Sequence, residues 1–122
     1  MRILVCDTDQ KRNEDYDLQE IFTKIGISPE IVEALPEEAM RKIVIGEKFN
    51  LLIASYDFTR DDSYEVIEVV KKCQSLSIPS VFLDYPADRG ISRYVTDNTS
   101  AVCVYKHEAS IILSDIIKAL KL

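Results

Sequence analysis

Residues able to do chemistry in this chain stand in short polar clusters, each directly after an apolar run. Asp7, Thr8 and Asp9 follow Ile3-Leu4-Val5-Cys6, and Ser55 to Asp57 follow Leu51-Leu52-Ile53-Ala54. Asp84 to Pro86 follow Val81-Phe82-Leu83, and Lys106-His107 follow Ala101 to Tyr105. If Lys106 is partly desolvated it needs a carboxylate partner, which Asp84 or Asp7 can supply without any metal or phosphate. Ser55 is a weak nucleophile without a nearby base, and His107, the single histidine, is not spaced to serve it. Solvent exposure or helix capping describes His107 better than catalysis.

Cys6 and Arg12 stand in the C-x5-R spacing of tyrosine and arsenate phosphatases. Such loops wrap an anion with backbone N–H groups, in a positive field that lowers the cysteine pKa. Here Asp7 and Asp9 fall inside the loop, where they repel phosphate and hold the thiol protonated. A phosphatase working through Cys6 is therefore a remote alternative to a cysteine in the core. Glu14, Asp15 and Asp17 read as the solvated front of a helix, favoured by its N-terminal dipole, and not as a metal cluster. No Gly-rich or Ser/Thr-rich loop follows the first apolar run to cradle a flavin or dinucleotide phosphate, so no cofactor is expected.

The elements that must position these clusters alternate between apolar runs and amphipathic stretches, the pattern of a parallel sheet with helices on both faces. Ile3 to Cys6 is apolar throughout, as befits a strand covered on two sides. Leu18, Ile21, Phe22 and Ile25 repeat at helical spacing, with Gly26 where a helix ends. A short strand within Glu30 to Ala34 precedes a helix that opens at Pro36 and runs through Ala39, Met40, Ile43 and Val44 to Gly46. Leu51 to Ala54 is a third strand, followed by a helix capped at Asp61 or Asp62 that turns Val66, Ile67, Val70 and Cys73 inward. After the fourth strand, Val81 to Leu83, residues from Ala87 to Thr96 make a weak helix, since Gly90 and β-branched residues lower its propensity. Ala101 to Tyr105 and a helix through Ile112, Leu113, Ile116, Ile117 and Leu120 close a single domain, 1–122. Open sheets of this kind place their sites beyond the carboxyl ends of the strands, near the point where strand order reverses, which is where all four polar clusters fall.

At 122 residues, 47% hydrophobic and 30% charged, the chain fits one globular domain. Its net charge of −6 disfavours direct nucleic-acid binding, which needs clustered Lys and Arg. Cys6, Cys73 and Cys103 are odd in number, far apart and embedded in apolar stretches, so they read as buried thiols in a reducing compartment. MRILVC is too short an apolar run for a signal peptide, and no segment approaches the ~18 apolar residues of a membrane span, so a cytoplasmic protein is expected.

In order along the chain, RILVCDTD, KFNLLIAS, IPSVFLD and VYKH resemble the corresponding segments of the receiver domain of bacterial response regulators, over nearly the whole length. The resemblance implies the flavodoxin-like, CheY-like fold: a five-stranded parallel sheet of order 2-1-3-4-5 with helices on both faces. It also implies a pocket in which two acids after the first strand and an Asp ending the third hold Mg2+. That third-strand Asp accepts a phosphoryl group, a Thr or Ser after the fourth strand orients it, and a Lys after the fifth pairs with it. On this alignment Asp7 matches the first acid, but Thr8 replaces the second. Ser55 stands at the acceptor position and Asp84 at the switch hydroxyl, while Lys106 matches the lysine. His107 takes the place of the Pro that usually follows, and Cys103 that of the switch aromatic. A pseudo-receiver follows, binding no metal, carrying no enzymatic activity and acting by protein–protein contact. The alternative within the family shifts the acceptor to Asp57, which shares strand parity with Ser55, and holds Mg2+ with Asp7 and Asp57. Receivers pass signals through the fourth helix, fifth strand and fifth helix. Residues 87–122 are thus the expected surface for a partner, a fused effector domain or a homodimer, with Tyr94, Tyr105 and His107 as contacts.

Overall fold

A strand that is apolar on both parities can be stable only if both its faces are covered. The computed structural model, which describes residues 1–7, 18–55, 63–84, 99, 101–105 and 117, shows how that cover is built. Its elements run β1 (Arg2–Asp7), α1 (Leu18–Lys24), β2 (Glu30–Ala34), α2 (Pro36–Val44), β3 (Leu51–Ser55), α3 (Ser63–Ser75), β4 (Ser80–Asp84) and β5 (Val102–Tyr105). All neighbouring strands are parallel, in the order β2-β1-β3-β4-β5. The expected sheet order is therefore the observed one.

Strand parity sorts the core into two layers. Leu4, Cys6, Leu52, Ala54 and Phe82 pack against Ala39 and Ile43 of α2 and Val66, Ile67, Val70 and Cys73 of α3. Their immediate neighbours Ile3, Val5, Leu51, Ile53, Val81 and Leu83 pack against Leu18, Ile21 and Phe22 of α1 and against Ile117, which is itself helical. Helices thus cover both faces. Slipping any central strand by one residue would exchange the two sets, so the paired layers fix register as well as stability. At roughly 1.5–3 kcal/mol for each large apolar side chain buried, these layers supply most of the drive to fold.

Helix ends are set locally. Pro36 occupies the first turn of α2, where its missing N–H costs nothing. α1, α2 and α3 close with the same pair of backbone hydrogen bonds. Ile27, Glu47 and Ile78 donate to the carbonyls of Phe22, Lys42 and Cys73, while Gly26, Gly46 and Ser77 donate to those of Thr23, Ile43 and Gln74. This is the Schellman arrangement, and it requires a left-handed residue at its centre. Gly26 (φ 78°) and Gly46 (φ 94°) adopt that conformation without strain, whereas Ser77 adopts it (φ 58°) against the steric preference of an L-residue. Val44, on the periodic stripe of α2, is nonetheless 64% exposed, because it lies in the last turn where the helix leaves the sheet.

The proposed cap at Asp61 or Asp62, the weak helix at 87–96 and all of the closing helix but Ile117 lie outside the described residues. Among the described residues no helix is long and apolar enough to cross a membrane.

Candidate functional site

The carboxyl ends of the strands place the first residues of three of the polar clusters, Asp7, Ser55 and Asp84, along one edge of the sheet. Asp7, the last residue of β1, is the direct register partner of Ser55, the last residue of β3. Ser55 in turn pairs with Leu83 of β4, and Asp84, the last residue of β4, pairs with Tyr105, the last of β5. Strand spacing puts paired backbones about 4.8 Å apart, so Asp7 and Ser55 share one edge of the sheet at adjacent positions. The chain leaves β1 toward β2 on one side and β3 toward β4 on the other, so the crevice between β1 and β3 is the switch point of this topology. Asp7 and Ser55 mark that crevice.

Of the residues singled out from the sequence, Asp7, Ser55, Asp84 and Tyr105 are placed here by their backbones. Thr8, Asp57, Tyr94, Lys106 and His107 lie outside the described residues. Among the described residues no group of three or more His, Cys, Asp or Glu is arranged to hold a metal ion. The residue types at the paired positions are one carboxylic acid, Asp7, and one hydroxyl, Ser55.

The cysteines separate by burial. Cys6 is fully enclosed in the layer facing α2 and α3, with Ala34 and Ala54 as its register partners. A thiol so enclosed is poorly placed to reach a phosphate ester, and Arg12, its partner in the C-x5-R spacing, lies outside the described residues. Burial pushes the Cys73 thiol up to about 11, which keeps it protonated and unreactive at neutral pH. Cys103, expected to be buried, is only half-buried at the margin of the same layer, because β5 is an edge strand.

Sequence reasoning passed over the opposite edge of the sheet. There Arg2 of β1 pairs with Glu30 at 3.1 Å and Glu47 at 3.2 Å, and its guanidinium lies 4.8 Å from the centroid of Phe49. Arg2 also donates to the Lys48 carbonyl at 3.3 Å, and Asn50 brackets its backbone, accepting from Arg2 N–H and donating to Arg2 C=O. The hydrogen bond from Arg2 holds the Glu47 carboxyl below the usual carboxylate range. The only advance signal was an Arg at the second position of an otherwise apolar strand. This edge is a structural clasp between β1, β2 and the segment that enters β3.

No protein-family model and no curated protein matches the chain. Solved structures do match it. The response regulator protein TrrA from Thermotoga maritima, solved in complex with Mg2+-BeF, superposes with a TM-score of 0.69 and 25% identity, covering 98% of this chain and 97% of that one. The chain has the fold of a CheY-like receiver domain. Two further receivers share the fold at lower identity. The receiver domain of the Francisella response regulator 1452 gives a TM-score of 0.63 at 15% identity, covering 99% of this chain and 98% of that one. The Salmonella typhimurium response regulator RcsB gives 0.66 at 18%, covering 99% of this chain but 59% of that one, so this receiver domain corresponds to part of that longer protein.

Proposed function

We propose that this receiver domain, spanning 1–122, is a signalling module of a two-component pathway that works without accepting a phosphoryl group and acts by binding a protein partner or a fused effector domain. One observation carries the reading: the residue ending β3, paired with Asp7 at the switch point, is Ser55. A hydroxyl there offers no carboxylate to form an acyl phosphate, and a bare serine is a poor nucleophile. In the proposed pocket Lys106 pairs with Asp7 or Asp84, which balances charge without metal or phosphate, and Thr8 stands in place of the second acid of active receivers. The partner surface in this reading is 87–122, with Tyr94, Tyr105 and His107 as contacts, and the setting is the cytoplasm.

The test is incubation with acetyl phosphate and Mg2+, read by intact mass, alongside beryllofluoride titration followed by NMR. The inert pocket predicts no mass increase and no shift of the strand-end amides. An adduct mapped by peptide sequencing to Asp57 would overturn it in favour of an active receiver holding Mg2+ with Asp7 and Asp57.

A further inference from the structure

The two helices on one face of the sheet carry their charges in the same order. In α2, Glu37 and Glu38 precede Arg41 and Lys42, and in α3, Glu65 and Glu68 precede Lys71 and Lys72. α2 and α3 lie side by side and in contact, so their shared surface is acidic at one end and basic at the other. A cleft marks each end. One, of about 340 Å3, is lined by Pro36, Glu37, Met40, Glu65 and Glu68. The other, of about 510 Å3, lies where both helices finish and includes Val44, Lys48, Phe49, Lys72 and Leu76, together with Glu47, whose carboxylate is already paired with Arg2 and Lys42.

Helix dipoles alone favour acids early and bases late. They do not account for the apolar groups left uncovered at the basic end. Val44, Ile45 and Leu76 are 64%, 70% and 49% exposed, three of the five large hydrophobic residues that stay exposed among those described. Nor are all the charges used within the fold. Glu65, Lys48 and Lys72 have no ion-pair partner among the described residues, whereas Glu37, Glu38 and Glu68 pair within their helices.

We propose that the α2–α3 face is a two-fold contact between copies of this chain, with the helices of the two copies antiparallel. Such a rotation sets the acidic cleft of each copy on the basic, apolar end of the other, so the complementary contact forms twice. Met40, unbranched and adaptable, then meets Val44 and Leu76. A parallel arrangement would set like charge on like, so electrostatics selects the orientation. Each helix carries two acids and two bases, so the net charge of −6 that opposes self-association resides outside the contact.

The face is small. At 1.5 Å per residue the 13-residue α3 is about 20 Å long. The 9-residue α2 is about 14 Å long, so the two helices together cover roughly 350 Å2 per copy, less than half of a standard interface, and the dimer is weak and concentration-dependent.

The test uses the whole chain. Wild-type protein is followed by NMR and sedimentation equilibrium from micromolar to millimolar concentration. Reversible, salt-sensitive dimerisation is expected, with concentration-dependent shifts confined to α2, α3 and the turns after them. The variant Glu65→Lys/Glu68→Lys replaces the α3 acids with bases, leaving only Glu37 and Glu38 at the acidic end, and Lys48→Glu/Lys72→Glu puts acids among Arg41, Lys42 and Lys71 at the basic end. Each alone should lose self-association, and an equal mixture should recover it as a one-to-one dimer. A wild type that stays monomeric at millimolar concentration, or shifts that map to 87–122 or elsewhere, would overturn the proposal, as would dimerisation that survives in either variant. A mixture of folded variants that fails to associate would do the same.

Discussion

The guanidinium of Arg2 and the carboxylate of Glu47 meet at 3.2 Å although 45 residues separate them in sequence, closing the amino edge of the sheet opposite the candidate site. Because the Arg2 hydrogen bond holds Glu47 below its ordinary value of 4.5, the pair stabilises the fold above that pH and ceases to do so as pH falls through the folded-state value. Glu47→Gln should therefore be less stable than wild type at neutral pH, and the two should converge in acid. Urea denaturation at a series of pH values measures the gap. A gap that widens in acid would show that the pair has been misassigned.

Ser77 is the one described non-glycine residue with positive φ, at the centre of the α3 cap. Ser77→Gly should raise stability by about 1 kcal/mol, since it removes the left-handed penalty while keeping both capping bonds. Gly46→Ala should do the reverse by about the same amount, through backbone strain alone, because an added Cβ would meet nothing within 4 Å. Thermal and urea midpoints report both, and opposite signs at the two positions are the diagnostic result.

Phe82 is fully buried on β4, in the layer beneath α2 and α3. Phe82→Ala should cost about 3–5 kcal/mol, a large part of the stability of a domain this size. Val44→Ala, at an exposed position, should stay within about 0.5 kcal/mol. Denaturant midpoints compared at equal slope check the contrast.

Thiol accessibility should follow the burial order. With iodoacetamide under native conditions, Cys103 should alkylate first, while Cys6 and Cys73 should react only after denaturant is added. Peptide mass mapping identifies the sites. Rapid native labelling of Cys6 would contradict its place in the core and reopen the C-x5-R question.

On the proposed reading the pocket is inert for want of carboxylates at positions 8 and 55, so supplying them should activate it. Thr8→Asp/Ser55→Asp should bind Mg2+ measurably more tightly than wild type in calorimetric titration, and should take up label from acetyl phosphate. No gain in either measurement would mean that something other than these two positions keeps the pocket closed.

Much of this architecture could be read from residue order because burial on two faces leaves an unmistakable pattern. Leu51 and Ile53 go to one layer and Leu52 and Ala54 to the other, so a run apolar at every position could only be a covered strand. The switch point was legible for the same reason. Cys6 and Ala54 are register partners at the end of the apolar runs, and Asp7 and Ser55 are simply the next pair. Other features depend on tertiary placement that spacing does not encode. Nothing in the spacing around Arg2 announces that the fold gathers Glu30, Glu47 and Phe49 around it. Ile45 follows an amphipathic helix whose stripe points inward, yet it lies past the last turn and faces solvent. Ser77 carried one faint clue, Pro79 two positions later, since proline commonly follows a helix cap.

The separation between the two edges of the sheet has an evolutionary corollary. Everything that locks the strands together, from the interleaved layers to the capped helix ends and the Arg2 clasp, is independent of the side chain at position 55. A lineage can therefore delete its reactive group and still inherit an intact scaffold. Selection is then free to act on whatever the outer surfaces of that scaffold recognise.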